Sequence, residues 1–96
     1  MNTTLCAAVN GRQLLELRYH GYARIVEPYA YGRDKSGDAL LRRFQISGVS
    51  ESGQSSGWKR LKVADVFAIH EQKNTFSPRP DYRRCDKAMP FMFCQL

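Results

Sequence analysis

No stretch of this sequence approaches the roughly 18 apolar residues that a helix needs to cross a bilayer. The amino end, Met1-Asn2-Thr3-Thr4-Leu5-Cys6, has no basic segment leading into an apolar run, so no signal peptide is read there. Cysteine is scarce and unpaired in spacing: Cys6, Cys85 and Cys94 are widely scattered, with no Cys-x-x-Cys step, which argues against a structural zinc site. An odd, scattered set suits a reducing cytosol, and three buried, inert thiols in a cytoplasmic protein are expected. The two histidines, His20 and His70, are far apart, and neither stands at metal-ligand spacing from a Cys or carboxylate. A Ser/His/Asp order, a close pair of carboxylates and a Gly-rich phosphate loop are all missing. These absences point away from an enzyme, a cofactor, a metal and a membrane.

Acidic residues are also in short supply. Nine Asp and Glu face 15 Lys and Arg, a net charge of +6 on 96 residues. On one small domain that excess produces a positive potential over part of the surface, which suits nucleic acid, nucleotides or another anionic partner.

The chain begins with helical spacing at Leu5, Ala8 and Val9, capped by Thr3 or Thr4 and ended by Gly11. From Gln13 the period changes to two: Leu15, Leu17 and Tyr19 alternate with Leu14, Glu16 and Arg18. After a turn at residues 20–23, a strand is expected from Arg24 to Gly32. It puts Ile25, Glu27, Tyr29 and Tyr31 on one face and Val26, Pro28 and Ala30 on the other. Pro28 lacks an amide hydrogen, so this strand should lie at an edge or carry a bulge. The polar segment 33–38, with Gly37, reads as a hairpin loop. A third strand follows over Ala39–Ser47, then a Ser- and Gly-rich loop over 48–57. A fourth strand is expected over Trp58–Val63, a tight turn at Ala64-Asp65, and a fifth strand over Val66–Glu71. Mainly β structure with a short amino-terminal helix is therefore expected, as a small five-stranded barrel over residues 1–76.

A carboxy-terminal extension over 77–96 breaks the pattern. Residues 77–84 are basic and Pro-punctuated, hence extended. Met89 to Leu96 is apolar except for Gln95, and must pack on the barrel or on a partner. Phe91, Met92 and Phe93 are expected to be largely buried, each burial contributing about 1.5–3 kcal/mol.

Among candidate ligand residues, Arg42 and Arg43 are adjacent on a strand and point to opposite faces. Trp58, Arg60 and Lys62 share a face, an aromatic with two cations, which suits base stacking and phosphate contact. Lys59 falls on the other face with Leu61 and Val63. Tyr29, with Arg24 at the start of its strand, contributes a possible pocket wall. Glu27 is expected to anchor an arginine of the barrel rather than act as a base. Together Arg24, Tyr29, Arg42, Arg43, Trp58, Lys59, Arg60 and Lys62 form the expected binding surface for single-stranded nucleic acid or a nucleotide-like anion. The alternative is a protein-interaction or homodimerisation module that uses the apolar tail.

The order of parts over residues 3–76 resembles the WYL domain of bacterial regulators. The resemblance rests on a helix before a strand ending in Tyr19, the step Val26-Glu27-Pro28-Tyr29, the Gly37 hairpin, and Trp58-Lys59-Arg60-Leu61-Lys62-Val63-Ala64-Asp65-Val66. The family's Trp-Tyr-Leu triplet falls on Ala39-Leu40-Leu41, so only Leu41 matches. The resemblance implies an SH3-like (Sm-like) barrel that regulates transcription by binding nucleic acid or a nucleotide-like ligand. It also implies a divergent, standalone member, since too few residues precede the barrel for a DNA-reading helical unit.

Overall fold

A computed structural model of the chain describes residues 2–19, 21–48 and 57–96. Most of the expected 48–57 loop, and the first residue of the turn at 20–23, lie outside the described residues. Helix α1 (Thr3–Asn10) is followed by β1 (Gln13–Tyr19), β2 (Tyr22–Arg33), β3 (Ala39–Gly48), β4 (Gly57–Lys62), a 3-10 turn over Val63–Asp65, β5 (Val66–Thr75) and β6 (Phe91–Gln95). The fold is mainly β, with one short amino-terminal helix. The helix cap is Asn2, whose Oδ1 accepts the Leu5 amide at 3.2 Å, and not Thr3 or Thr4. Asn is the stronger N-cap, and its use draws Thr3 into the first turn. Gly11 ends the helix as expected, but the left-handed position falls on Arg12, with φ 52°.

The antiparallel sheet has the order β4-β3-β2-β1-β5, with β6 added beside β2. Leu5 and Ala8 from the helix meet Leu15, Leu17, Val26, Tyr31, Leu41 and Leu61 in the main core. Val66 and Ile69 of β5 pack against the same cluster as Leu61 of β4. Both end strands of the path thus reach one core, which requires a strongly coiled sheet.

Strand β2 explains how a proline survives in the middle of a sheet. Its first part pairs with β1 as far as Val26, and its last part pairs with β6 from Ala30 onward. Pro28 sits in the gap between these two neighbours, where no amide hydrogen is required. On the β3 side Pro28 faces Arg43 and Ala30 faces Arg42, so Tyr29 is the extra residue of a bulge. The strand is central rather than an edge, and the bulge is where the proline is accommodated. The bulge also shifts the alternation. Tyr31 joins Val26 in the main core, whereas Glu27 and Tyr29 face the other side, so Tyr29 and Tyr31 do not share the expected face.

The tail folds back on its own chain and supplies a sixth strand that the alternation pattern did not indicate. Gly32 permits it: a Cβ there would stand 2.6 Å from the Phe91 carbonyl oxygen, so only glycine lets β6 approach β2. The anchor of the tail is Met89, 2% exposed against Ala30 and Leu40. Met92 and Phe93 are half-buried, and Phe91 is 63% exposed because it opposes the exposed Arg33 at the strand end. The expectation of three buried side chains at 91–93 is corrected accordingly.

The expectation of three free, buried thiols is also overturned. Cys6 of α1 and Cys94 of β6 form a disulfide, with Cα atoms 5.7 Å apart, and Cys85 is exposed. Helix and tail strand are neighbours only in the folded chain, which is why linear spacing could not show the pair. Closing a loop of 88 residues constrains the unfolded chain strongly. Replacing both Cys6 and Cys94 by Ser should cost about 2–4 kcal/mol, a fall of roughly 10–20 °C in Tm for a domain of this size. Calorimetry of the variant against the oxidised protein checks this.

Candidate functional site

Alternation turns Glu27 and Tyr29 away from the core, and the bulge returns only Tyr31 to it; the two need cover of their own, and the tail provides it. Arg79 lays its guanidinium across Glu27, with Nε 3.0 Å from Oε1 and Nη2 3.2 Å from Oε2. The Tyr29 hydroxyl donates to Glu27 Oε1 at 2.8 Å and accepts the Arg79 amide at 3.0 Å. Glu27 does anchor an arginine, but one from the tail and not from the expected barrel region. The Arg79 guanidinium also lies 3.6 Å above the Phe44 ring centre, a cation–π contact.

Around Tyr29 the aromatic side chains gather. Its ring centre is 4.6 Å from that of Trp58, 4.7 Å from Tyr82 and 5.3 Å from Phe76. Trp58 stacks at 22° to Tyr82 and meets Phe44 edge-on. Its indole Nε1 donates to Asp81 at 2.7 Å. On the same side Arg42 Nε donates to Asp86 Oδ2 at 2.7 Å. Burial pushes the Asp86 carboxyl upward, but the Arg42 hydrogen bond, the Ala88 amide and the charges of Arg42 and Arg60 outweigh it and hold the group below its usual range.

A cleft of about 420 Å³ opens where this aromatic group meets the tail. Trp58 and Tyr82 give it an apolar wall, and Arg42, Arg83, Arg84 and Lys87 bring positive charge. Its acids, Asp81 and Asp86, are already engaged by Trp58 and Arg42. Such a cleft can hold a flat ring and one or more phosphates.

The residues expected to line one surface are divided by the sheet. Tyr29, Arg42 and Trp58 belong to the cleft face, with Arg60 exposed near Asp86. Arg43 is on the opposite face of β3, 1% exposed, and Arg24 is 3% exposed. Lys59 is half-buried and pairs in register with Arg43. Lys62 is drawn to the hairpin, 3.6 Å from Asp38. Alternation along the strands separated Arg42 from Arg43 correctly. Arg79, Tyr82, Arg83, Arg84 and Lys87 were missed as site residues, although the aromatic and arginines of Arg79-Pro80-Asp81-Tyr82-Arg83-Arg84 were a usable signal. Among the described residues no three His, Cys, Asp or Glu side chains gather as a metal site, and no helix is long and apolar enough to cross a membrane. No family model matches the chain, and no curated protein or solved structure matches it.

Burial is the largest influence on Tyr29 and, with the nearby Glu27 carboxylate, pushes its hydroxyl up to about 12 from an ordinary 10.0, although the Arg79 amide pulls the other way. The folded value is the higher one. The stability it contributes is therefore complete below about pH 10 and lost as pH rises toward about 12. Burial raises Tyr82 as well, so spectrophotometric titration should show late tyrosine ionisation extending to about pH 12, and Tyr29→Phe should remove its final part.

Proposed function

We propose that the chain is a non-catalytic regulatory module that binds a nucleotide or a short single-stranded nucleic acid in the cleft between the sheet and the tail. The observation that carries this reading is the joining of Trp58 and Tyr82 to four cationic side chains around one cleft, with both of its carboxylates already engaged. Aromatic faces accept any base by stacking, and arginines accept phosphate oxygens in paired hydrogen bonds. The non-catalytic part is supported by Glu27. This carboxylate is 6% exposed and spent on Arg79 and Tyr29, which leaves it poorly placed to take a substrate proton.

An SH3-like barrel of the WYL type suits the strand order β4-β3-β2-β1-β5, the 3-10 turn before β5, and the coiling that brings both end strands to one core. Under this reading the chain is a divergent WYL-like module whose tail forms half of the ligand cleft. The cytoplasm is proposed on the ligand alone, because the Cys6–Cys94 bond removes the thiol argument for it.

A fluorescent single-stranded oligonucleotide should bind with little sequence preference. Three or four phosphate contacts imply a log-log salt slope of about −2 to −3. Trp58→Ala should lose roughly 1–3 kcal/mol for a base stacked there. Since that change also opens the aromatic cluster, Arg84→Glu with Lys87→Glu, both exposed, tests the same cleft with the core intact. Anisotropy across a salt series should show a flatter slope for the double variant. Equal binding by wild type and double variant would remove the cleft from consideration.

A further inference from the structure

On the core face of β3, Leu41, Arg43 and Gln45 follow one another at every second position, and all are buried. Arg24 stands two residues before the core residue Val26 on the adjoining strand β2, also buried. The register sets the two arginines on either side of the Val26–Gln45 pair, with Arg43 reaching toward Arg24's side through Gln45. Arg24 Nη2 donates to the Tyr19 carbonyl at 3.0 Å, and its guanidinium lies 4.9 Å from the Tyr19 ring centre. Arg43 Nη1 donates to Gln45 Oε1 at 2.9 Å. The Nε atoms of both arginines are buried with no acceptor.

Among the described residues no carboxylate pairs with either group; Arg42–Asp86, Lys62–Asp38 and Arg79–Glu27 lie elsewhere. Burial and the positive charge of Arg24 push Arg43 down to about 10, so it remains charged at neutral pH. A buried charge without a counter-charge is among the most costly arrangements in a protein, and two of like sign are worse. Each guanidinium has five donors in a fixed fork, and the Nε donor of each finds no acceptor.

We propose that Arg24 and Arg43 form an internal oxyanion site, distinct from the Trp58 cleft, that takes a phosphate group. Two guanidinium charges match a phosphate dianion, whereas a carboxylate would neutralise only one. The unspent N–H groups of two forks suit several oxygens around one phosphorus. The site is separate from the cleft because Arg43 and Arg42 lie on opposite faces of β3. The phosphate is either free or the terminal group of a nucleotide.

The test uses the full chain with inorganic phosphate as probe and chloride at equal ionic strength as reference. Thermal melting should rise with phosphate concentration in the wild type. Arg43→Met keeps the apolar stem and removes the charge. It should melt higher than wild type without phosphate, since a buried repulsion is relieved, and should lose the specific response. Phosphate also stabilises proteins by exclusion from their surfaces, and the variant subtracts that contribution. Should Arg43→Met not fold, Arg43→Lys keeps a charge but loses the fork, and calorimetry should show at least tenfold weaker phosphate binding. A nucleoside monophosphate that binds tighter than inorganic phosphate, and loses that binding in Arg43→Met, assigns the terminal-phosphate source; equal affinities assign free phosphate. A full phosphate response in Arg43→Met, or none beyond chloride in the wild type, would overturn the proposal.

Discussion

The hydrogen-bonded network of Glu27, Tyr29 and Arg79, on the face of β2 opposite the core, is the constraint on which the candidate site depends. Alternation turns Glu27 and Tyr29 to that face, and one extra residue at Tyr29 returns Tyr31 to the main core. A buried carboxylate and a buried phenol on that face would be costly without partners. Arg79, Tyr82 and Trp58 provide them, and in doing so they bring the tail over the sheet. The carboxy-terminal segment is therefore part of the architecture. It completes a polar network, adds β6 beside β2, and leaves a charged aromatic cleft at its margin.

Two anchors hold the tail at opposite ends by different physics. The Glu27–Arg79 pair is a charge-assisted contact on a half-buried surface, supported by the Tyr29 hydroxyl. The Cys6–Cys94 bond is covalent and ties β6 to α1. Between them, Met89 fills the gap above Ala30 and Leu40, and Gly32 gives the backbone room to approach. Positive charge that would otherwise repel is thus distributed over both faces of β3, with Arg42 on the cleft side and Arg43 within the core.

Much of the fold was legible in the sequence. Period-two alternation located β1, β3 and β4 to within a residue or two, and Leu5, Ala8 and Val9 marked the helix. Pro28 signalled an irregular strand, and the irregularity is a bulge. Alternation fails where register changes: a bulge reverses the faces beyond it, which is why Tyr29 and Tyr31 were placed together. Long-range pairings were not legible for a related reason. The Cys6–Cys94 bond, the Glu27–Arg79 pair and the β2–β6 ladder each join distant segments, and no local pattern encodes them. The basic character of the site was visible from composition, but its division into a cleft and a buried arginine pair depends on which strand face each residue occupies.

Amide hydrogen exchange on the intact chain, comparing wild type with Glu27→Gln, tests the tail's dependence on the Glu27 network most directly. Removing one charged partner from Arg79 weakens a charge-assisted contact worth about 1.5–3 kcal/mol, which is roughly tenfold or more in local opening. Exchange over residues 79–86 should accelerate by that order, while β1 and β3 keep their protection and β6 stays held by its disulfide. Unchanged exchange over residues 79–86 in the variant would contradict the claim that Glu27, on the face of β2 opposite the core, holds the tail in place.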